Sequence, residues 1–198
     1  HVEKISLIAA DGKKPENALA AVVTGMEVYL ELKGLIDTAK ERERIEKAKA
    51  ALAAGATVVT DTNMALSGVS KVTLAKLGGK AVCLMADEQV AREAKARGVT
   101  RAVVSMEHAA KFEGPLIFAI GNAPTALIRL HELIEEGIVA PALVIGVPVG
   151  FVNVVEAKEL FIGGDTPYII ARGRKGGSNV AASIVNALLY QMVHREGF

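Results

Sequence analysis

The chain has 198 residues, which is most simply one domain with room for a substantial core. Residues are 51% hydrophobic but only 4% aromatic, so the core should consist mainly of Ala, Val, Ile and Leu. The formal net charge of +1 gives no electrostatic reason to expect a nucleic-acid partner, and a single cysteine, Cys83, excludes an internal disulfide. Without a signal peptide or a run of roughly 20 apolar residues, the sequence predicts a cytoplasmic protein with no membrane partner.

The first quarter of the chain has the pattern of a small, mainly antiparallel β meander followed by a helix. Three short apolar runs are joined by tight turns, at residues 2–8, 19–24 and 26–32. Asp37 then suits the N-cap of a helix that continues to Leu52 and ends at Gly55. We therefore predict a first domain over residues 1–54.

From residue 55 onward, strand and helix patterns alternate. Strands are predicted at residues 57–60, 81–85, 101–104, 116–120, 143–147 and 168–171. Helices are predicted at residues 72–77, 87–97, 124–136 and 154–161, with a last one opening at Ser178. Such alternation implies a parallel sheet. The sequence thus predicts, over residues 55–198, a Rossmann-like three-layer α/β sandwich with a mainly parallel sheet.

The centre of this second domain is a strand that ends in a glycine turn. The apolar run 116–120 stops at Gly121, as expected of a strand buried on both faces. Asn122 is a favourable N-cap for the next helix, and Pro124 suits its first turn because its missing N–H would be unpaired there.

These turns also carry a family resemblance. The segments are GNAPTAL at 121–127, PALVIGVPVGF at 141–151 and EAKE at 156–159. Further matches are Thr60-Asp61 with Met64 and Gly68, Thr100-Arg101, GRKGGS at 173–178 and NAL at 186–188. Over residues 48–192 the chain resembles the precorrin-8X methylmutase (cobalt-precorrin-8 methylmutase) family of cobalamin biosynthesis. The resemblance implies a homodimeric isomerase that moves a methyl group from C11 to C12 of a corrinoid, giving hydrogenobyrinic or cobyrinic acid. No cofactor and no metal are expected.

Open parallel sheets bind ligands beyond the carboxyl ends of their strands. The turns at Asn122 and Ser178 lead into helices, whose N-terminal N–H groups attract anions. Together with the resemblance, this placement predicts an anionic corrinoid as the small-molecule partner, with Val149 and Phe151 covering the macrocycle beside Met64. The predicted binding residues are Asp61, Met64, Thr100, Arg101, Asn122, Thr125, Gly150, Arg172, Arg174, Lys175 and Ser178.

The catalytic residue stays unknown at this level. The family reaction is a 1,5-sigmatropic shift assisted by a histidine, and the resemblance places that histidine in an Arg-Val-Ile-His-Ala-Thr-like motif upstream of the aligned region. The chain does not contain this motif, and its histidines are His1, His108, His131 and His194. His108, which follows the predicted strand 101–104, is the candidate substitute. We expect activity to be absent or weak.

A second resemblance covers residues 2–47. The segments VEKI at 2–5, Lys14-Pro15, GMEVYL at 25–30 and GLID at 34–37 are similar to the C-terminal part of valyl-tRNA synthetase. Three interpretations therefore stay open. The chain is a methylmutase-family protein without its usual acid, or a non-enzymatic natural or engineered chimera with a methylmutase-derived fold, or a tRNA-binding module. The nearly balanced charge argues against the third.

Overall fold

The computed structural model describes the backbone of residues 38–193 and the side chains of residues 42–193. The predicted meander and the predicted cap at Asp37 lie outside the described residues. The chain divides into two compact units, His1–Glu43 and Arg44–Phe198, and the second contains a five-stranded sheet. The predicted domain boundary between residues 54 and 55 stays a prediction.

Strands and helices alternate through the described part of the chain, as predicted. The strands are β1 Thr57–Thr60, β2 Lys80–Val82, β3 Leu116–Ile120, β4 Leu143–Gly146 and β5 Tyr168–Ile170. The helices are α1 Thr38–Ala53, α2 Asn63–Gly68, α3 Lys71–Lys76, α4 Glu88–Arg97, α5 Arg101–Ala109, α6 Pro124–Glu135, α7 Val154–Glu159 and α8 Ser178–Met192.

The sheet is parallel at every pairing, with the strand order β2-β1-β3-β4-β5. In the central strand β3, Ile117 is in register with Val58 of β1 and with Leu143 of β4. All five residues of β3 are buried, because helices cover both faces of the sheet. The predicted α/β fold with a parallel sheet is confirmed.

Two hydrophobic clusters lie on opposite faces of the sheet. On one face, Ile117 and Ala119 of β3 pack in a cluster with residues of α1, α3 and α8. On the other face, Leu116, Phe118 and Ile120 pack in a cluster with residues of α5, α6 and α7. Fully burying one such Ile or Phe side chain contributes about 1.5–3 kcal/mol. The three layers therefore hold the strand ends, where a ligand site is expected, on a rigid base.

Helices α2 and α8 are fastened to each other. A Cβ atom at Gly68 would lie only 2.8 Å from the Cβ of Ala182, so the helices touch at a glycine. Asn186 donates from Nδ2 to the Gly68 carbonyl oxygen at 2.8 Å, and its Oδ1 accepts from the Ser70 N–H at 2.8 Å. Both helices start at the carboxyl edge of the sheet, so their first turns keep a fixed separation.

The predicted strand at residues 101–104 is wrong. These residues form the first turn of α5, capped by Thr100, whose Oγ1 accepts from the Val103 N–H at 3.3 Å. Ala102, Met106 and Ala109 follow at helical spacing and are buried against the sheet. No helix within residues 38–193 is long and apolar enough to cross a membrane.

Candidate functional site

The strand order reverses between β1 and β3. From β1 the chain continues outward to β2, then returns to β3 and proceeds to β4 and β5 on the other side. In open parallel sheets, ligands bind in the crevice beyond the carboxyl ends of the strands at such a point. Asp61 directly follows β1, and Gly121 directly follows β3. This edge is therefore the candidate site.

Asp61 holds the turn that follows β3. Its Oδ1 accepts from the Gly121 N–H at 2.8 Å, and its Oδ2 accepts from the N–H groups of Asn122 at 2.8 Å and Ala123 at 2.6 Å. Only 1% of Asp61 is exposed. Burial raises the pKa of the Asp61 carboxyl above its ordinary value, and the three N–H donors act in the opposite direction.

The N-terminus of α6 is therefore already occupied by a carboxylate of the protein itself. The predicted N-cap at Asn122 is wrong: Ala123 is the N-cap, it makes no side-chain cap bond, and Pro124 fills the first helical position. Asp61, which directly follows β1, supplies the missing acceptors. A substrate carboxylate would find these donors taken, with a buried negative charge beside them if Asp61 is ionised.

The first turns of α2 and α8 meet at a hydroxyl pair. Thr62, the N-cap of α2, accepts from the Ala65 N–H at 3.0 Å, and its Oγ1 lies 2.8 Å from Ser178 Oγ. Gly121 packs directly beneath them, since a Cβ atom there would lie 2.6 Å from the Cα of Ser178. The turn after β3 can approach α8 this closely only with glycine at position 121.

Helix α8 starts from a glycine loop fixed to the end of β4. The Gly177 N–H donates to the Val147 carbonyl oxygen at 2.8 Å, with Gly177 at φ 137°. A Cβ atom at Gly176 would lie 2.0 Å from that same oxygen. Gly177 is the N-cap of α8 and, unlike Thr62 of α2, provides no side-chain acceptor for the first turn. The first turn of this 15-residue helix therefore has no acceptor from its N-cap side chain, and a helix end of this kind attracts anions.

Apolar side chains are exposed at residues that follow the strands at this edge. Phe151 is 81% exposed and Met64 is 71% exposed, and Val149 and Val152 are also exposed. The guanidinium carbon of Arg174 lies 5.5 Å from the centre of the Phe151 ring, within cation–π range. An apolar surface with a cation above it can accept a flat ligand that carries carboxylates.

Other predicted binding residues lie on neighbouring elements. Thr100 and Thr125 are linked, with their Oγ1 atoms 3.3 Å apart, so the first turns of α5 and α6 meet. Arg101 is exposed at the first position of α5. Arg172 donates to Glu159 Oε2 at 3.0 Å, so its charge is partly neutralised. Gly150, Lys175 and Arg174 lie on the two loops that follow β4 and β5.

The structure does not bring His108 to this edge. It lies in the last turn of α5, seven residues after Arg101, which is about 10 Å along the helix axis. Its Nε2 lies 2.7 Å from Glu93 Oε2, within an ion-pair group that also contains Arg97 and Glu107. Among the described residues, no group of three His, Cys, Asp or Glu side chains could hold a metal ion.

Sequence reasoning missed two residues that shape the site, Thr62 and Lys158. Lys158 is fully buried, and its Nζ donates to the carbonyl oxygens of Gly173 at 2.7 Å and Lys175 at 2.9 Å. A signal was present in the sequence: Lys158 shares the buried stripe of α7 with Val154, four residues earlier, and with the neighbouring Ala157. A lysine at such a position indicates a buried ammonium group with a specific task.

The sheet and this edge together define an open, doubly wound α/β protein whose candidate ligand site lies where the strand order reverses. A family model described as precorrin-8X methylmutase matches residues 29–191. The chain belongs to the precorrin-8X methylmutase family of cobalamin biosynthesis, and the resemblance found in the sequence is confirmed.

Several relatives support this assignment. The cobalt-precorrin-8 methylmutase of Salmonella typhimurium is 48% identical over 138 residues, covering 68% of this chain and 63% of the relative. That of Priestia megaterium is 46% identical over 138 residues, covering 70% and 61%. The crystal structure of precorrin-8X methyl mutase from Thermus thermophilus superposes with a TM-score of 0.65 at 37% identity, covering 73% of this chain and 71% of that one.

The chain spans a little over 60% of the length of these first two curated relatives. A structure described as a precorrin-8X methylmutase related protein covers 96% of this chain and 100% of its own, with a TM-score of 0.68; its 24% identity shows the shared fold alone. The family match starts at Tyr29, inside the segment 2–47 that resembles valyl-tRNA synthetase. These matches give that second resemblance no support.

Proposed function

We propose that the chain binds an anionic corrinoid at the carboxyl edge of its sheet and serves the methyl-shift chemistry of its family. This proposal rests on two features at the same edge of the sheet. The start of α8 lacks a side-chain cap, and Arg174 lies over the ring of the exposed Phe151. A corrinoid acid has a broad apolar ring with carboxylates around it. Its carboxylates suit the helix end and the arginine, and its ring suits the exposed apolar side chains.

The two long helices at this edge have different tasks in this proposal. The N–H groups at the start of α6 are taken by Asp61, so Asp61 shapes the site and does not meet the substrate carboxylates directly. Those carboxylates bind at the start of α8, near Ser178 and Arg174. The proposed binding set otherwise keeps the predicted members: Met64, Thr100, Arg101, Asn122, Thr125, Gly150, Arg172 and Lys175.

We further propose that residues 1–198 bind the ligand better than they convert it. The family reaction needs a positioned acid at the ring, and such a group contributes about 10²–10⁴-fold in rate. Of the described histidines, His108 is paired with Glu93 away from the edge, and His131 packs against Phe161 with ring centres 5.3 Å apart. Neither is placed to protonate a ligand at the carboxyl edge.

The test is a titration with hydrogenobyrinic acid, followed by absorbance, beside an assay of precorrin-8X conversion. Arg174→Ala should weaken binding about tenfold or more, because it removes a charge-assisted contact to a carboxylate. Arg92→Ala is the matched control, since Arg92 is an exposed arginine on α4 whose partner Glu88 lies 3.8 Å away. Equal losses of affinity in both variants would show that the change in net charge alone explains the effect. Rapid turnover by the unmodified chain would refute the weak-activity proposal.

No binding by the unmodified chain would instead favour the chimera interpretation, in which the fold is kept without its function.

The homodimer also stays a proposal. It was expected from the resemblance, and the aliphatic residues Val185, Leu188 and Leu189 of α8 are buried against the sheet within the chain itself. A dimer would therefore use another surface, and light scattering at tens of micromolar would detect it.

A further inference from the structure

Among the described residues, Lys158 is a buried cation next to the candidate site that the proposed function leaves without a role. It is fully buried on α7, among apolar neighbours of the same helix. Burial lowers the pKa of its ammonium group below the ordinary value for lysine. Within the described residues no carboxylate lies at ion-pair distance from Nζ, so the ammonium group is held by backbone carbonyl oxygens alone.

These carbonyl groups belong to the loop that carries Arg174. Lys158 Nζ donates to the carbonyl oxygen of Gly173 at 2.7 Å and to that of Lys175 at 2.9 Å. The carbonyl oxygen between them, on Arg174, accepts from the Gly150 N–H at 3.3 Å. Three successive carbonyl groups thus accept hydrogen bonds, two of them from the Lys158 side chain. These bonds fix the backbone on both sides of Arg174.

The same loop leads directly into α8. Two residues after Lys175, the Gly177 N–H donates to the Val147 carbonyl oxygen at 2.8 Å, and Ser178 begins the helix. Lys158 therefore contacts the loop that carries Arg174 and leads into α8. A loop held in its binding geometry loses less conformational entropy when the ligand arrives.

We propose that Lys158 is a positioning residue for the corrinoid site: its ammonium group fixes the Gly173–Lys175 loop so that Arg174 is aligned for a substrate carboxylate. This proposal rests on the proposed function of the same edge. It assigns Lys158 no contact with the substrate. Its influence on binding acts through Arg174, and that dependence can be measured.

A double-mutant cycle with hydrogenobyrinic acid tests this dependence. Lys158→Met keeps the length of the side chain but removes its N–H donors, and it should weaken binding about tenfold. In the Arg174→Ala background the same change should cost about twofold or less, because the group that Lys158 aligns is already gone. Equal losses in both backgrounds would overturn the proposal, since a general loss of stability acts in both. Lys111→Met, at an exposed lysine after α5, is the control and should bind as the unmodified chain does.

Amide hydrogen exchange provides a readout that needs no ligand. In Lys158→Met, the Gly150 and Gly177 amides should exchange faster, whereas the amide of Phe118 in β3 should not change. Unchanged exchange at Gly150 and Gly177 would overturn the proposal. If Lys158→Met does not fold, Lys158→Gln replaces it, because its amide still donates to one carbonyl group. An intermediate loss of affinity is then expected, and affinity equal to that of the unmodified chain would overturn the proposal.

The outcomes separate the two proposals. If the unmodified chain binds the corrinoid and Arg174→Ala weakens binding, but Lys158→Met does not, only the proposed role of Lys158 is refuted. If the unmodified chain does not bind at all, both the proposed function and the proposed role of Lys158 in binding are refuted.

Discussion

Replacing Asp61 by Asn tests whether the turn after β3 depends on a carboxylate. In the unmodified chain, two oxygens serve three N–H donors, with Oδ2 accepting from both Asn122 and Ala123. The Asn side chain keeps one oxygen and turns an NH₂ group toward at least one of these donors. An unpaired buried donor costs about 1–3 kcal/mol, and the facing NH₂ group adds repulsion, so Asp61→Asn should cost about 2–3 kcal/mol. The total free energy of unfolding of a typical domain is about 5–15 kcal/mol.

Urea unfolding followed by circular dichroism measures this cost. With a slope of about 2 kcal/mol per molar urea, the midpoint should fall by about 1 M or slightly more. Asp87→Asn is a matched control, because Asp87 is the exposed N-cap of α4 and accepts from the N–H groups of Gln89 and Val90. Asn is as good an N-cap as Asp, so this variant should stay close to the unmodified chain. Equal midpoints for Asp61→Asn and the unmodified chain would refute the reasoning.

The pH dependence of this cost has a definite sign. Burial raises the pKa of Asp61 in the folded chain, so its contribution to stability is fully present below the unfolded pKa of about 4. That contribution decreases as the pH rises through the folded pKa. The difference in unfolding free energy between the unmodified chain and Asp61→Asn should therefore be larger near pH 4 than at pH 7. A difference that grows with pH would contradict a raised pKa.

Two further predictions concern packing and charge. Gly176→Ala should destabilise the fold by about 1–3 kcal/mol, because its Cβ would lie 2.0 Å from the Val147 carbonyl oxygen; Gly164→Ala, where the nearest atom lies at 3.5 Å, should be nearly neutral in the same urea assay. Hydrogen bonds from Arg97 lower the pKa of Glu107, so its contribution to stability is present above the unfolded pKa and is lost as the pH falls. Glu107→Gln should therefore cost more at pH 7 than at pH 3.5, and a cost independent of pH would contradict this.

The central strands were predictable because their apolar runs are continuous and end at glycine or a polar residue. The strand predicted at residues 101–104 failed because Arg-Ala-Val-Val is too short to distinguish a strand from a helix by its pattern. The capping residue Thr100 and the later apolar positions Met106 and Ala109 carried the helical signal. The same error placed His108 wrongly. A residue just after a strand 101–104 would have been at the carboxyl edge of the sheet, whereas on α5 His108 lies two helical turns from that edge.

The contacts that shape the site could not be predicted from local patterns. Asp61 meets Gly121, a residue 60 positions later, and Thr62 meets Ser178, 116 positions later. Asn122 is a favourable N-cap residue, but the N–H groups there are bonded by the carboxylate of Asp61, which follows the neighbouring strand β1 and which local sequence does not reveal. Lys158 is different, since its place on the apolar stripe of α7 was visible. Its acceptors in the Gly173–Lys175 loop were not.

The fold thus gives the two long helices at the carboxyl edge different electrostatic environments. The first N–H groups of α6 face the oxygens of Asp61, so the field there is reduced before any ligand arrives. The first turn of α8 has no side-chain cap, and Arg174 adds a full charge near it. We propose that this difference orients a ligand with carboxylates on its rim, with its most negative side toward α8. Shape alone would leave a nearly flat ring free to rotate above Phe151 and Met64, and the unequal helix ends would remove that freedom.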